Sequence, residues 1–235
     1  MSMISVNKCI FCGEILPENE VLCGKCSKLV EPLSEYCCSL CGHEKCRCAS
    51  TQNSERELDG LCACYFYHGQ AGKAISQFKF SGNRALGKGM GKLMADRIQS
   101  VFPEVSLDGI CYVPTSLWHL MKRGYNQAAV LARAISAFTS IPVYDKILSK
   151  RIGVKTQHTL TAKERLENVK DAYRITDPKL VYGKTLLLVD DISTTGATLH
   201  ECAGELKGAG AKAVYAICFA LTQNRLERKD KDKYV

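Results

Sequence analysis

The sequence predicts an α/β protein with an open, mostly parallel sheet, preceded by a small cysteine-rich domain. Apolar runs of strand length alternate with helical patterns from Gly109 to Leu221, an order typical of a parallel sheet whose strands are connected by helices. Nine of the 14 cysteines lie between residues 9 and 48. These observations divide the chain into a cysteine-rich domain (1–50), a polar linker (51–60), an α/β domain (61–224) and a charged tail (225–235).

The composition predicts a globular, cytoplasmic protein. A hydrophobic fraction of 46% in 235 residues supplies a full core, and no stretch approaches the roughly 18 consecutive apolar residues of a membrane span. The first residues, MSMISVNK, lack the apolar core of an export signal, so we expect reduced cysteines and no membrane insertion. The net charge of +8 is concentrated between residues 70 and 170, which fits a polyphosphate ligand, a nucleic-acid strand or, equally, a solvated surface.

Two pairs of cysteines near the N-terminus predict a zinc site. Cys9 and Cys12 form one C-x2-C knuckle, and Cys23 and Cys26 form another ten residues later. This spacing places four thiolates tetrahedrally around Zn²⁺. Because four cysteines fill the coordination shell, the ion would be structural and would supply much of the folding energy of this short segment.

A second zinc shell is predicted from the cysteines that follow. Its candidate ligands are Cys38, Cys41, Cys46 and Cys48. Cys37 competes with its neighbour for one position, and His43 is a possible substitute ligand. Buried free thiols are the alternative for both sets of cysteines.

The α/β domain begins with a strand and two helices. Residues 61–67 predict a strand in which Cys62 and Cys64 share one face, as core thiols rather than ligands. Helical patterns follow at 70–80 and 84–100, separated by a Ser-Gly-Asn turn. Lys79 and Arg84 flank this turn, where they would either reach a ligand or face solvent.

The next strand is predicted at 109–114, followed by a polar, basic connector at 115–127. Asn126 is a suitable N-cap for the helix after it. That helix would bury a stripe of apolar residues, namely Leu131, Ala134, Ile135 and Phe138.

The segment from Leu186 to His200, LLLVDDISTTGATLH, indicates a phosphate site. Residues 186–189 predict a strand buried on both faces, with Asp190 and Asp191 where the strand should end. A loop of small hydroxyl residues then leads into a helix with an apolar face formed by Leu199, Cys202, Ala203 and Leu206. The N–H groups at a helix N-terminus favour a phosphate.

The two acids need a different partner, because carboxylates repel a phosphate. Ribose hydroxyls, bound directly or with a hard divalent cation, would satisfy them. Gly196 would let the backbone approach the ligand closely. The alternative is an ordinary buried strand followed by Ser and Thr residues that cap a helix.

The ten residues VDDISTTGAT resemble the ribose-5-phosphate motif of type I phosphoribosyltransferases. The resemblance implies a sheet of that kind, with Asp190 and Asp191 as the catalytic pair that holds the ribose hydroxyls of phosphoribosyl pyrophosphate, together with Mg²⁺. It implies that the 5-phosphate is cradled by Ser193, Thr194, Thr195, Gly196, Ala197 and Thr198.

The resemblance extends to two other segments. The loop after the strand at 109–114 would hold the pyrophosphate, with Thr115, Lys122 and Arg123 as contacts. Residues 150–170 would form a mobile hood that closes over the ligand and excludes water. Its candidate contacts are Lys155, Gln157 and Arg165. The alternatives are a connector with incidental charge and a solvated pair of helices.

The order of the motifs narrows the resemblance to the ComF family, in its ComFC branch. The cysteine ribbon, FKFSGNR, RGYNQ and VDDISTTGAT occur in that family's order and cover nearly the whole chain. The resemblance implies a role in DNA uptake during natural transformation. Single-stranded DNA, a DNA-uptake helicase or DNA-processing proteins would be the partners.

Two functions therefore stay open. The protein would bind phosphoribosyl pyrophosphate and transfer its ribosyl group, or it would be a non-catalytic factor that binds single-stranded DNA and is regulated through its phosphoribosyl site. In the second case Trp118, Tyr125 and Phe80 would stack on bases among the basic residues.

Overall fold

The computed structural model describes residues 7–34, 37–46, 48, 57–80, 85–151 and 172–224. The helices and strands in these ranges are α1 (Gly24–Leu29), β1 (Gly60–Phe66), α2 (Gly69–Phe80), α3 (Ala85–Val101), β2 (Gly109–Tyr112), α4 (Leu117–Arg123), α5 (Gln127–Thr139), β3 (Leu148–Lys150), β4 (Tyr173–Ile175), β5 (Thr185–Ser193), α6 (Ala197–Gly208) and β6 (Ala213–Leu221). None of the helices in these ranges is long and apolar enough to cross a membrane.

The main sheet has four strands in the order β1–β6–β5–β2, and every pair of neighbours is parallel. Residues 142–144 continue it beyond β2, because the N–H of Ile110 donates to the carbonyl of Pro142 at 2.8 Å and the N–H of Tyr144 donates to the carbonyl of Ile110 at 2.8 Å. The predicted open, mostly parallel α/β sheet is confirmed.

Successive residues of β5 pack into two different cores. Leu187 and Val189 belong to the core that contains the buried residues of α3 and α5. Leu186 and Leu188 belong to the core that contains the apolar face of α6. Because side chains alternate along a strand, this packing also determines the directions of the residues that follow on β5.

A second, antiparallel sheet is formed by β3 and β4, with Lys150 opposite Tyr173. Both strands contribute buried residues to the core on the α6 side. The hood predicted between them lies outside the described residues, apart from its first two positions. Its candidate contacts Lys155, Gln157 and Arg165 therefore remain predictions.

The predicted connector at 115–127 contains a helix, α4, that the sequence pattern did not indicate. The hydroxyl of Ser116 accepts a hydrogen bond from the N–H of His119 at 3.3 Å, and Gly124 ends the helix with φ of 74°. No residue of α4 is buried. Helical periodicity in a sequence indicates a buried apolar face. A helix that has caps but no buried residue gives no such signal.

One predicted core residue of α5 is wrong. The amide oxygen of Asn126 accepts a hydrogen bond from the N–H of Ala128 at 3.0 Å, as expected for an N-cap, and Leu131 and Ile135 are buried. Phe138, however, is 41% exposed. It lies in the last turn of α5, where Lys92 of α3 approaches its ring with Nζ 5.8 Å from the centroid, so an alkyl-ammonium chain covers it instead of the core.

The cysteine-rich segment packs directly on the α/β core. Ile10 and Phe11 belong to the same hydrophobic cluster as the residues of α3 and α5, and Phe11 meets Tyr65 of β1 edge to face, with ring centroids 5.4 Å apart. Gly89 of α3 lies so close to this segment that a Cβ atom there would meet Ile10 at 2.5 Å. The two parts of the chain therefore share one hydrophobic core.

Arg97 of α3 adds a polar connection between the two parts. Its side chain is buried, and it donates to the carbonyl oxygens of Leu33 at 3.0 Å and Ser34 at 2.7 Å and to the sulfur of Cys37 at 3.2 Å. Buried charged groups are stable when they are hydrogen-bonded in this way.

Residues 57–60, predicted as the end of a linker, belong to the packed structure. Leu58 is buried. The carboxylate of Asp59 accepts a hydrogen bond from the N–H of Val214 at 2.7 Å and pairs with Lys207 at 2.7 Å. These contacts place the start of β1 beside β6.

Candidate functional site

The acidic pair lies within β5 rather than after it. The strand extends to Ser193, because Ile192 and Ser193 still pair with Ala220 and Leu221 of β6. Strand alternation places Asp190 and Asp191 on opposite faces of the sheet, but their carboxyl groups remain close enough to interact through a side-chain hydrogen bond. Following the alternation of the preceding residues, Asp191 faces the side of α3 and α5, and Asp190 faces the side of α6.

Asp191 is paired with a lysine from another element. Its Oδ2 lies 2.9 Å from Nζ of Lys79, in the last turn of α2. Both side chains are largely removed from water, with exposures of 10% and 19%. The sequence left open whether Lys79 reaches a ligand or faces solvent, and the structure places it on the acidic pair.

The pKa of the Asp190 carboxyl group is higher than that of an ordinary aspartate. Burial and the neighbouring charge of Asp191 raise its pKa to about 8, although Lys79 and a hydrogen bond from the N–H of Asp191 at 2.8 Å act in the opposite direction. Near neutral pH this carboxyl group is therefore protonated in a large part of the molecules. It serves as a hydrogen-bond donor as well as an acceptor.

Two residues of the small sheet lie close to Asp190. Burial raises the pKa of the Tyr173 hydroxyl, the charges of Cys202 and Asp190 act in the same direction, and a hydrogen bond with Thr198 acts against them. Burial lowers the pKa of Lys150, while the charges of Cys202 and Asp190 oppose that shift. Neither Tyr173 nor Lys150 was predicted as a site residue, because only the pairing of β3 with β4 brings them here.

The hydroxyl-rich loop and the start of α6 form a pocket next to Asp190. Its volume is about 220 Å³ including the open mouth, and it is lined by Asp190, Ile192, Ser193, Thr194, Thr195, Gly196, Ala197, Thr198 and Leu199. Gly196 is the N-cap residue with φ of 77° and makes no side-chain hydrogen bond to the helix. The N–H of Ala197 donates to the hydroxyl of Thr195 at 3.3 Å, and the N–H groups that follow it in the first turn of α6 point toward the pocket, where an anion would accept from them.

Ser193 also indicates a ligand. Its hydroxyl is buried and has no hydrogen-bond partner among the residues that the structure describes. A buried hydroxyl without a partner costs free energy, and this one belongs to the lining of the pocket. A bound molecule with hydroxyl or phosphate oxygens would satisfy it.

The residues predicted to contact pyrophosphate follow β2 at the same edge of the sheet. β2 lies beside β5, and the N–H of Val113 donates to the carbonyl of Val189 at 3.0 Å. Thr115 is half-buried just after this point. Arg123 donates to the side-chain oxygen of Gln127 at 3.3 Å, and Lys122 is exposed at the end of α4.

Comparison with known proteins gives matches over nearly the whole chain. Competence protein F of Haemophilus influenzae is 27% identical over 88% of this chain and 93% of its own length. DNA utilization protein YhgH of Escherichia coli is 27% identical over 86% of this chain and 90% of its own length. Competence protein ComFC of Bacillus subtilis is 26% identical over 89% of this chain and 87% of its own length. The phosphoribosyl transferase domain family matches residues 120–235.

The chain is similar to the ComF proteins among these relatives. The matches cover 86–89% of the chain, so they extend beyond the sheet into the cysteine-rich segment. The match to the phosphoribosyl transferase domain includes β5, the hydroxyl-rich loop and α6. The acidic pair and the pocket thus lie inside the matched domain.

The cysteine-rich segment contains two groups of four thiols. In each group the four sulfur atoms lie within 4.8 Å of one another, and the groups are Cys9, Cys12, Cys23 and Cys26 and then Cys38, Cys41, Cys46 and Cys48. Tetrahedral zinc sites with Zn–S bonds of about 2.3 Å have sulfurs roughly 3.8 Å apart. The 3.6 Å between the sulfurs of Cys12 and Cys23 fits such a site.

Ionisation within the first group also favours a metal. Burial opposes ionisation of Cys9, but N–H donors from Cys23, Cys12 and Phe11 lower its pKa to about 7. Burial and the neighbouring thiols raise the pKa of Cys26. Cys9 therefore loses its proton readily, whereas Cys26 needs a nearby cation to do so. Both groups could hold structural metal ions.

Proposed function

We propose that this protein binds phosphoribosyl pyrophosphate with Mg²⁺ and acts in the cytoplasm, in DNA uptake during natural transformation. The observation that carries the binding proposal is the pocket in which the N-terminus of α6, a buried hydroxyl and Asp190 converge. The names of the relatives, two competence proteins and a DNA utilization protein, support the cellular role. The 14 free cysteines suit a reducing compartment.

Each part of the site suits one part of the ligand. The first turn of α6 and the hydroxyls of residues 193–198 would bind the 5-phosphate. The carboxyl groups of Asp190 and Asp191 would hold the ribose hydroxyls. Thr115, Lys122 and Arg123 would contribute to binding the pyrophosphate.

A magnesium ion fits this environment. Carboxylates and phosphate oxygens are the ligands that Mg²⁺ prefers. Asp190 lines the pocket, and Asp191 is next to it on β5. When bound, the ion would offset the negative charge of the pyrophosphate group. The residues of the protein would hold the sugar in place while the bond from its anomeric carbon to pyrophosphate breaks.

The same proposal includes Zn²⁺ as the structural ion of both cysteine groups. Four thiolates leave no open coordination position, so these ions would stabilise the fold without taking part in chemistry. Turnover with candidate acceptors would distinguish a phosphoribosyltransferase from a protein that only binds the ligand.

A double substitution of the acidic pair tests the proposal. We expect phosphoribosyl pyrophosphate with Mg²⁺ to raise the melting temperature of the wild-type protein, because a ligand that binds only the folded state stabilises it. The variant Asp190→Ala/Asp191→Ala should lose this shift. Calorimetric titration should give the same result, and an unchanged shift in the double variant would refute the assignment.

Binding of single-stranded DNA is a second candidate function. The indole of Trp118 is 53% exposed, and Nζ of Lys122 lies 5.1 Å from its ring centroid, a combination that suits base stacking beside a phosphate. Tyr125 does not belong to such a surface, because it is buried, which corrects the sequence-based set. The side chain of Phe80 lies outside the described part of the chain.

The variant of the acidic pair also separates the two candidates. If α4 contributes to a DNA surface, the double variant should keep its affinity for a single-stranded oligonucleotide, and that affinity should fall steeply with salt. Absence of binding at low salt would remove the DNA candidate and leave the phosphoribosyl site unaffected.

A further inference from the structure

Lys79 of α2 pairs with Asp191, the neighbour of the pocket residue Asp190. Its ion pair with Asp191 differs from an ordinary surface pair in its burial. The two side chains are 19% and 10% exposed, whereas those of the Lys92–Asp96 pair on α3 are 33% and 57% exposed. Exposed pairs contribute little to stability because water screens them. When an ion pair is mostly removed from water, the attraction between the two charges is stronger and holds both side chains in place.

The position of Lys79 is fixed by contacts with a distant segment. The preceding residue, Phe78, is fully buried, and its ring lies 5.9 Å from that of Tyr125. The hydroxyl of Tyr125 donates a hydrogen bond to the carbonyl of Phe78. Tyr125 follows directly after α4, so the segment that carries Lys122 and Arg123 also anchors the end of α2.

The ion pair changes what the acidic pair offers to a ligand. Two adjacent carboxylates would repel a sugar phosphate, and a divalent cation is one way to offset their charge. Lys79 supplies a positive charge from the protein itself. It contacts Oδ2 of Asp191, and a carboxylate has further lone pairs with which to accept a ligand hydroxyl.

We propose that Lys79 is a positioning residue of the ribose-phosphate site, which fixes the Asp191 carboxylate and offsets the charge of the acidic pair so that an anionic sugar phosphate binds before any divalent cation. This inference rests on the proposed function, since it requires that the acidic pair receives ribose hydroxyls. It adds a residue from α2 to a site otherwise formed by β5, its loop and α6.

The test compares neutral and charged replacements of Lys79, with ribose 5-phosphate as the probe. The affinity of each protein for ribose 5-phosphate is measured by calorimetry, first without divalent cation and then with Mg²⁺. Lys79→Met should weaken binding without Mg²⁺ by about tenfold or more, because a nearby unit charge is lost. Mg²⁺ should restore a larger part of the affinity in this variant than in the wild type. Lys79→Arg, which keeps the charge, should stay within about threefold of the wild type.

Lys92→Met is the matched control, since Lys92 also pairs with an aspartate but on the exposed surface of α3. The affinity of Lys92→Met for ribose 5-phosphate should equal that of the wild type. Binding by Lys79→Met within about twofold of the wild type, or a gain from Mg²⁺ no larger than that of the wild type, would contradict the inference. Lys79→Gln provides a second neutral replacement. Loss of folding in both neutral variants would assign Lys79 a purely structural role.

The outcome also separates this inference from the proposed function. A wild-type protein that binds neither ribose 5-phosphate nor phosphoribosyl pyrophosphate would defeat both. Equal binding by the wild type and Lys79→Met would defeat only the role of Lys79 and would leave the phosphoribosyl site in place.

Discussion

At the scale of single residues, the two adjacent acids have different environments, although their carboxyl groups lie close to each other. Asp191 meets the ammonium group of Lys79 at 2.9 Å. For Asp190, burial together with the charge of its neighbour raises the pKa to about 8. The two adjacent acids therefore have different surroundings, which suits different tasks toward one ligand.

The raised pKa of Asp190 predicts a pH dependence of stability. A carboxyl group whose pKa is higher in the folded than in the unfolded state favours folding most below its ordinary pKa near 3.8, and this contribution is lost as the pH rises toward about 8. Asp190→Asn has no charge to lose. We expect the free energy of unfolding of this variant, relative to the wild type, to increase between pH 5 and pH 8 by more than about 1 kcal/mol.

Urea unfolding of both proteins over this pH range measures the effect. Other groups, including the thiols of the cysteine-rich segment, titrate in both proteins and cancel in the difference. Parallel pH profiles for the wild type and Asp190→Asn would show that Asp190 ionises normally and would contradict the prediction.

At the scale of elements, the site is built from one continuous unit of strand, loop and helix. The middle of β5 is buried by both layers, and its end carries the acids. Gly196 then adopts a left-handed conformation with φ of 77° at the N-cap of α6. This conformation is costly for a residue with a Cβ atom. The glycine therefore determines how the N–H groups of α6 meet the pocket.

Replacement of this glycine should damage stability and binding together. A Cβ atom at Gly196 would lie 3.4 Å from the imidazole of His200, which is an ordinary contact, so the cost arises from the backbone. We expect Gly196→Ala to lower the free energy of unfolding by about 1 kcal/mol and to weaken ribose 5-phosphate binding. Thermal melting and calorimetry are the measurements.

Gly208, at the other end of α6, provides the control. It has no left-handed φ, and a Cβ atom there would have no neighbour within 4 Å. Gly208→Ala should leave binding unchanged and should keep or slightly raise stability, since alanine favours helix more than glycine does. If both substitutions had the same effect on binding, the special role of Gly196 would be disproved.

At the scale of the whole molecule, the cysteine-rich segment and the sheet are joined by a common core. Phe11 packs on Tyr65, and Arg97 donates from α3 to the carbonyls of Leu33 and Ser34. Folding of one part therefore supports the other. The consequence is that metal binding in the segment should stabilise the sheet as well.

We expect two zinc ions per chain by elemental analysis, and a lower melting temperature for the whole protein after their removal by a chelator. Unfolding of the untreated protein should be a single transition, because the shared core couples the two parts. Circular dichroism follows the sheet and helices, and fluorescence of the single tryptophan, Trp118, reports on α4. A chelator that removed zinc without changing the transition of the sheet would contradict this coupling.

The arginine link can be examined with a matched pair of variants. Arg97→Met removes a buried guanidinium and leaves two carbonyl groups without their donor, which should make the protein less stable and more sensitive to chelation. Arg133→Met is the control, because Arg133 forms an exposed ion pair with Asp145 at 2.7 Å. Its removal should have little effect.

The sequence by itself determined the features that depend on neighbours in the chain. The unit of apolar strand, two acids, hydroxyl-rich loop and helix is local, and so is the spacing of the cysteines within each group. For this reason the parallel sheet, the buried face of α6 and the residues of the pocket followed from pattern alone. Two features depend on packing instead. The prediction that Phe138 is buried was wrong, and α4 was not predicted.

Only the tertiary structure decided which distant residues complete the site. Lys79 reaches Asp191 from the end of α2, which Tyr125 anchors through Phe78. Tyr173 approaches Asp190 because β4 pairs with β3. Tyr125 turned inward to anchor Phe78, which removed it from the candidate surface for DNA. Such contacts arise from packing between elements far apart in sequence, and periodicity or spacing within one segment contains no information about them.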